Sequence, residues 1–261
     1  MMKARKLIYS GYVLLGMIAL QNQALADTFT VNSTVDNVLL NDVNPGDGVC
    51  ADLFGGCGLR VAIQEANANP GPDRIEFSVN GTITLRAQGG LLPPITERLQ
   101  IDGRTAPGYN GPSVDLEDAP PAIYIDGINI DGAANSGNGL EFIGDFTGPP
   151  SSLEAGIYAI GIVNFFIGVY INPMSVRVTV DSCYIGVRED GSIAANNDGI
   201  FIGANSSIIG RRVNFDGAIG YGNVISGNSN VGILMVSALR ARISGNRIGP
   251  SPDGISARPN G

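Results

Sequence analysis

The phrase Ile-Ser-Gly-Asn occurs twice near the end of this chain, at residues 225–228 and 243–246, a spacing of 18. A longer echo accompanies it. "IGVREDGSIAANND" at 185–198 aligns with "IGPSPDGISARPNG" at 248–261, an offset of 63 with six identities in fourteen positions. Self-similarity at a fixed period marks a stacked repeat architecture. The segments around these phrases read as short strands. Ile75, Phe77 and Val79 alternate with polar residues, as do Ile83 and Leu85, and Val176, Val178 and Val180. Gly-Asn, Asp-Gly and Asn-Gly pairs break the runs. Helices do not separate the strands, which excludes a doubly wound α/β sheet. A sandwich of hairpins has no reason to repeat turn phrases at multiples of one period, whereas a solenoid does.

The predicted fold is therefore an all-β parallel solenoid with a coil of about 18–21 residues. Roughly nine coils would give a rod of about 40–45 Å. Inward residues are expected to include Val176, Val178, Val180, Ile200, Ile202, Ile225, Ile233 and Ile243. The repeated phrase would stack Ile225 on Ile243 on adjacent coils. Gly227 and Gly245 would take a corner needing positive φ, and Asn228 and Asn246 would stack in an amide ladder.

Residues 1–26 read as a secretory signal peptide. Lys3, Arg5 and Lys6 precede an apolar run from Leu7 to Leu20, and Ala24 and Ala26 stand at the small-residue positions of a cleavage site. The apolar run is short for a membrane span. Cleavage would begin the mature chain at Asp27, remove three basic residues and shift the net charge from −8 to about −11. That acidic balance argues against nucleic-acid binding. The chain has no His, which excludes Ser-His-Asp and Cys-His catalysis by this chain and removes the usual imidazole metal ligand. Membrane association is expected only through the signal peptide or an anchor downstream.

Export changes how the cysteines read. Cys50 and Cys57 in "GVCADLFGGC" are expected to form a disulfide; zinc would need four ligands. Cys183 is left as a small buried residue. After Cys57, the residues Leu59, Ala62, Ile63 and Ala66 recur at one face of a helix. The expected organisation is residues 1–26 signal peptide, 27–75 an N-terminal cap with Cys loop and short helix, and 76–261 the repeats. The repeats stop inside the second long echo, so further C-terminal sequence of the same protein is expected.

Here the sequence becomes familiar. "GDGVCADLFGGCGLRVAIQEANANPGPDRIEF" resembles the start of secreted bacterial proteins with the Cys-Ser-Leu-Arg-Glu-Ala signature. "LQIDGRTAPGYNG", "YIGVREDGSIAANNDGI" and "GNVISGN…ISGNRIG" resemble the right-handed parallel β-helix repeats that follow it in that family. The resemblance implies a right-handed parallel β-helix with an N-terminal capping helix and disulfide loop. Gly58 stands where the signature has Ser, and Val61 where it has Glu.

The fold that the resemblance implies also includes pectate lyases and polygalacturonases. Such enzymes need clustered carboxylates and a basic group on one face. Asp102 and Arg104 in "IDGRT", and Asp126 and Asp131 in "YIDGINIDGA", are the catalytic candidates, although each Asp-Gly also reads as a turn. Asp42 and Asn44 begin like a calcium loop, but Gly46 falls at a ligand position and Leu53 where Glu belongs. No metal or other cofactor is otherwise expected. The expected function is a non-catalytic secreted or cell-surface module for adhesion, display or binding of glycans or surface proteins. The alternatives are a polysaccharide lyase or glycoside hydrolase, and a structural spacer in a larger surface protein.

Overall fold

The computed structural model describes residues 26–37, 39–86, 89–111, 119–130, 137–146, 154–175, 177–210 and 222–261. The expected signal peptide, apart from Ala26, lies outside them, as do Val176 and Asp131.

The chain winds through three parallel sheets in turn. The first rung is β1 (Thr28–Val31), followed by the Cys loop and α1 (Leu59–Ala68). The second holds β2 (Asp73–Phe77) and β3 (Gly81–Arg86), and the third holds β4 (Leu99–Asp102), β5 (Ile123–Asn129) and β6 (Asn138–Phe142). Three-strand coils follow: β7 (Gly156–Tyr158), β8 (Ile160–Val163) and β9 (Ile167–Ile171), then β10 (Thr179–Asp181), β11 (Tyr184–Ile185) and β12 (Asp198–Ile202). The next comprises β13 (Ile208–Gly210), β14 (Val224–Ile225) and β15 (Val231–Met235), and the last β16 (Arg242–Ser244) and β17 (Arg247–Ile248). The first sheet runs β1-β2-β4-β7-β10-β13-β16, the second β3-β5-β8-β11-β14-β17 and the third β6-β9-β12-β15. From the third rung to the sixth each coil lays one strand on each sheet, and the first two rungs and the last carry fewer; this is the expected parallel β-helix.

Register explains why such short strands hold. In the first sheet Phe29, Ile75, Ile101, Ile157, Val180, Ile209 and Ile243 form one column across seven rungs. The second sheet stacks six isoleucines: Ile83, Ile125, Ile162, Ile185, Ile225 and Ile248. The third stacks Leu140, Val169, Ile200 and Ile233. Full burial of each such side chain contributes about 1.5–3 kcal/mol, so the columns, not strand propensity, carry the stability. Of the expected inward residues, Val178, Val180, Ile200, Ile202 and Ile225 are fully buried and Ile233 is half-buried against the core. Ile243 is in its column but is 42% exposed on the last rung.

The coil is longer than 18–21 residues. Val169 pairs with Ile200 and Ile200 with Ile233, steps of 31 and 33. Ile162, Ile185 and Ile225 are separated by 23 and 40. The first sheet therefore has seven rungs rather than nine coils, and the stack is roughly 29 Å long. The offset of 63 spans two coils, from Ile185 through Ile225 to Ile248.

Ile225 and Ile243 do not stack. Ile225 lies in the second sheet over Ile185, and Ile243 in the first over Ile209. The two phrases form the same turn at two different corners. In each, Gly takes a left-handed backbone, with φ of 69° at both Gly227 and Gly245, where a Cβ would be strained. In each, Asn then enters an amide ladder, but the ladders are separate. Asn196 Nδ2 donates to Asn228 Oδ1 at 3.0 Å and Asn228 Nδ2 to Asn260 Oδ1 at 2.8 Å. At the other corner Asn223 Nδ2 donates to Asn246 Oδ1 at 2.9 Å, and Asn223 Oδ1 accepts from the Cys183 N–H.

The long echoes form matching hairpins that leave the rod. Val187 pairs antiparallel with Ile193, and Pro250 with Ala257. In the first hairpin Val187 packs on Tyr184 and Val224, outward residues of the second sheet. Ala194 packs on Tyr124 and Val163 in the same way. The second hairpin leans on the first through Arg258 Nε, 2.7 Å from the Gly191 carbonyl.

The Cys50–Cys57 disulfide is present, which fits an oxidising, extracytoplasmic compartment. Residue Gly58 begins α1 with no side-chain cap, and Val61 is fully buried. Cap contacts come from other side chains instead. Arg60 holds Asp36 through Nε and Nη2 at 2.8 and 3.0 Å and donates to the carbonyls of Leu91 and Gly90. Glu65, fully buried, accepts the N–H groups of Gly46 and Gly48 at 2.6 and 2.5 Å. Cys183 is buried as expected, and burial pushes its thiol up to about 12.

Candidate functional site

Asp102 ends β4 and is 1% exposed. It accepts from Arg104 N–H, from Arg104 Nε and Nη2 at 2.7 Å each, and from Arg74 Nη2 at 2.7 Å. Arg104 also lies over the Tyr158 ring, 4.3 Å from its centroid. Burial pushes the Asp102 carboxyl up, but the bonds and charge of Arg104, with Arg74, outweigh it and hold the group below its ordinary value. This is a buried carboxylate fully engaged by two partly exposed arginines, and it fixes a corner. A depressed folded-state value means stability that is present above the unfolded value and lost as pH falls through the folded one. The stability gap between the parent and Asp102→Asn is thus expected to stay constant from pH 7 to 5 and to shrink below about pH 4. Urea titrations at each pH measure it.

Asp126 sits elsewhere, on β5 of the second sheet. It is 4% exposed and accepts from Ile128 N–H, from Asn164 Nδ2 at 2.7 Å and from Arg188 Nη2 at 2.6 Å. Asp102 and Asp126 are therefore on different sheets, each tied to arginine. In the calcium-like loop, Asp42 Oδ1 accepts from Asn44 N–H and Asp47 Oδ1 from Val49 N–H. Backbone donors occupy the oxygens a cation would need, so this donor set does not fit calcium.

Through Arg188, Asp126 borders a cleft. The first hairpin overhangs the outer face of the second sheet near its start, and a space of about 490 Å³ lies beneath. Asn80, Gly81 and Thr82 at the start of β3 form one side, with Pro107, Gly108, Pro121 and Ala122 beside them. Tyr124 lines the cleft, and Arg188, Glu189 and Asp190 at the hairpin tip close it. Ile125 faces the core, so its neighbours Tyr124 and Asp126 face outward. Gly161 makes room for the Tyr124 ring, whose atoms lie 2.1 Å from where a Cβ would stand. Asp126 anchors Arg188, whose side chain remains 31% exposed at the wall.

Tyr124, which lines the cleft, has an unsatisfied hydroxyl. It is buried with no hydrogen-bond partner among the described residues. Burial pushes its pKa well above the usual phenol value, so it is a neutral donor and acceptor. An unmade bond on a buried hydroxyl costs about 1–3 kcal/mol. At the rim Asp190 is held below its ordinary value by the Ser192 hydroxyl and N–H, which keeps it an acceptor.

Sequence reasoning found Asp126 but not Tyr124, Arg188 or Asn80. Only the register of three rungs and the fold-back of the hairpin bring these together. The outer face of the third sheet carries a second candidate, the row Glu141, Tyr170, Phe201 and Leu234. There the Tyr170 and Phe201 rings stack at 4.9 Å and 13°. They cover each other's faces and so serve the rod itself.

Compared with known proteins, the chain matches no family model and no curated protein.

Proposed function

We propose that the protein is a secreted or cell-surface β-helix module that binds a neutral glycan in the Tyr124–Arg188 cleft without cleaving it. The observation that carries this reading is the buried, partnerless hydroxyl of Tyr124 beside a cleft that presents amide, hydroxyl, carboxylate and guanidinium groups as well as apolar Pro107 and Pro121. A volume of about 490 Å³ suits a small ligand of one to a few sugar rings, within the usual range for such sites. Vicinal hydroxyls suit planar groups such as the Arg188 guanidinium, the Asn80 amide and the Asp190 carboxylate. Pro107, Pro121 and the Tyr124 ring supply apolar surface for a pyranose face. Opposite charges at Arg188 and Glu189–Asp190 favour an uncharged ligand over a polyanion.

Export is part of the proposal. The Ala-X-Ala pattern before Asp27, the Cys50–Cys57 bridge and the likeness of residues 57–62 to the Cys-Ser-Leu-Arg-Glu-Ala signature support a secreted bacterial β-helix protein. Catalysis is disfavoured because Asp102 and Asp126 are both committed to arginines. Asp190 is held low, which suits an acceptor rather than a proton donor.

A glycan array followed by calorimetry of the hits tests the reading. Tyr124→Phe is expected to weaken glycan binding about tenfold, the worth of one hydrogen bond in a dry site. The same change should leave the free protein as stable as before or more so, because it removes an unsatisfied hydroxyl. An array without hits refutes the proposal, and release of new reducing ends from a bound glycan would establish a hydrolase or lyase instead.

A further inference from the structure

We infer that the Ala26–Asp27 bond is a processing site whose cleavage completes the fold, because the new α-ammonium at Asp27 becomes the cation that buried Asp73 lacks. The inference rests on the export reading above.

The geometry is already in place. Asp73 opens β2 and is 1% exposed. The backbone nitrogen of Asp27 donates to Asp73 Oδ1 at 2.9 Å. Among the described residues the side-chain donor to this carboxylate is neutral, Asn69 Nδ2 at 3.1 and 3.3 Å from its two oxygens. Asn69 also holds the Asp27 carboxylate at 3.0 Å. The other charges facing the site are acidic, Asp27 and Glu65, and Glu65 is occupied by Gly46 and Gly48. Arg74, next in sequence, pairs with Glu76 and Asp102 instead. Burial therefore raises Asp73 to about 6, opposed by the Asp27 N–H and the Asn69 amide and reinforced by the Asp27 and Glu65 charges. Of the other buried carboxylates, Asp36, Asp102 and Asp126 each have a guanidinium, while Asp42, Asp52, Glu65 and Asp198 accept from neutral N–H groups.

Hydrolysis of the Ala26–Asp27 amide leaves a carboxylate on Ala26 and a primary amine on Asp27, which is protonated at neutral pH. The nitrogen already bonded to Asp73 then carries the positive charge. Ala26, Asp27 and Thr28 are all exposed, so a protease can reach the bond, and Ala24 and Ala26 are the small residues that signal cleavage requires.

An uncharged nitrogen at Asp27 leaves Asp73 raised above its unfolded value. Stability from that group is then greatest below about pH 4 and lost as pH rises through about 6. With the ammonium in place the carboxylate is favoured, and stability persists through neutral pH until the amine deprotonates.

Composition makes a clean test possible. Residues 27–261 contain no lysine, so a protein of residues 27–261 has one primary amine, its N-terminus. Residues 1–261 are expressed for export, purified and the N-terminus read by mass spectrometry, with Asp27 expected. Acetylation with an amine reagent should add one acetyl group. The product keeps an N–H for Asp73 and loses only the charge. Its Tm is expected to fall by about 4 °C at pH 7 and by much less at pH 5. In Asp73→Asn protein, acetylation should leave Tm unchanged. The amine of the parent should also acylate with a pH profile displaced upward by about one unit relative to Asp73→Asn. With Asp27 at the N-terminus, an unchanged Tm at pH 7, or an equal fall in both proteins, overturns the ion pair. A different N-terminus overturns the processing site. Retention of residues 1–26 on protein that stays in the cell overturns export itself, and the inference with it.

Discussion

Ile162→Asp is expected to abolish folding, while Ile248→Asp in the same column should be tolerated. Both residues belong to the isoleucine column of the second sheet. Ile162 is fully buried on β8, with Ile125 on one side and Ile185 on the other. Ile248 is on the last rung and 50% exposed. A carboxylate at 162 has no cation within the column and no room for water. The lost apolar burial and the desolvation penalty together come to at least about 5 kcal/mol, comparable to the whole stability of many domains. At 248 the new carboxylate keeps much of its hydration, so the cost should be about 1 kcal/mol. Chemical denaturation of both variants, with circular dichroism of Ile162→Asp at low temperature, measures the difference. A folded Ile162→Asp protein with native stability would mean that the column does not hold the rod together.

That contrast also shows how far the sequence could be read. The parallel solenoid, the inward Val180, Ile200 and Ile225, the face of α1 and the Cys50–Cys57 bridge were all readable. They depend on local alternation and composition, which neighbours in sequence reveal. The coil length was not. The phrase at 225–228 and 243–246 marks a corner, and a three-sided coil has several corners with the same needs. The period between like turns is then shorter than the coil. The long echo misled in a smaller way. Its first hairpin pairs Val187 with Ile193 and its second pairs Pro250 with Ala257, so the second has one residue more. An alignment without a gap sets Asn197 against Asn260, whereas the ladder joins Asn196, Asn228 and Asn260. The cleft was still less visible. Tyr124 and Arg188 are 64 positions apart, and what unites them is the Asp126–Arg188 pair, whose partners have no shared motif. Asp102 and Asp126 drew notice as carboxylates before glycine, but their turns explain the Asp-Gly pattern by themselves. The acceptor roles of Asp102 toward Arg104 N–H and of Asp126 toward Ile128 N–H are turn chemistry.

Asn228→Ala should be the most damaging polar substitution in the rod. Asn228 is 1% exposed and stands in the middle of its ladder. Its Oδ1 accepts from Asn196 Nδ2 at 3.0 Å, and its Nδ2 donates to the Ile185 carbonyl at 3.2 Å and to Asn260 Oδ1 at 2.8 Å. The ladder does for the corners what the sheets do for the strands: it satisfies backbone carbonyls where the chain turns away from regular pairing. Removing the amide strands one buried N–H of Asn196 Nδ2, whose other bond is to the Ile162 carbonyl, at a cost of about 1–3 kcal/mol, and it takes one of two donors from the Ile185 carbonyl, which keeps the Ser226 N–H at 3.0 Å. Asn260 is affected less, because its Oδ1 also accepts from the Asn228 N–H at 3.2 Å. The expected loss is about 2–3 kcal/mol. Asn246 supplies the control. It heads the other ladder, with one amide neighbour, Asn223, and is half-buried. Water can replace part of what it loses, so Asn246→Ala should cost about 1–2 kcal/mol. Asn228→Asp is a sharper probe, since it keeps the acceptor for Asn196 but places a carboxylate against the Ile185 carbonyl and Asn260 Oδ1. It should be at least as harmful as Ala at pH 7 and should recover as pH falls through the raised pKa of that buried acid. Urea midpoints of the three variants at pH 7 and pH 5 decide the matter. Equal losses for Asn228→Ala and Asn246→Ala would show that the two corners do not differ in burial as their ladders imply.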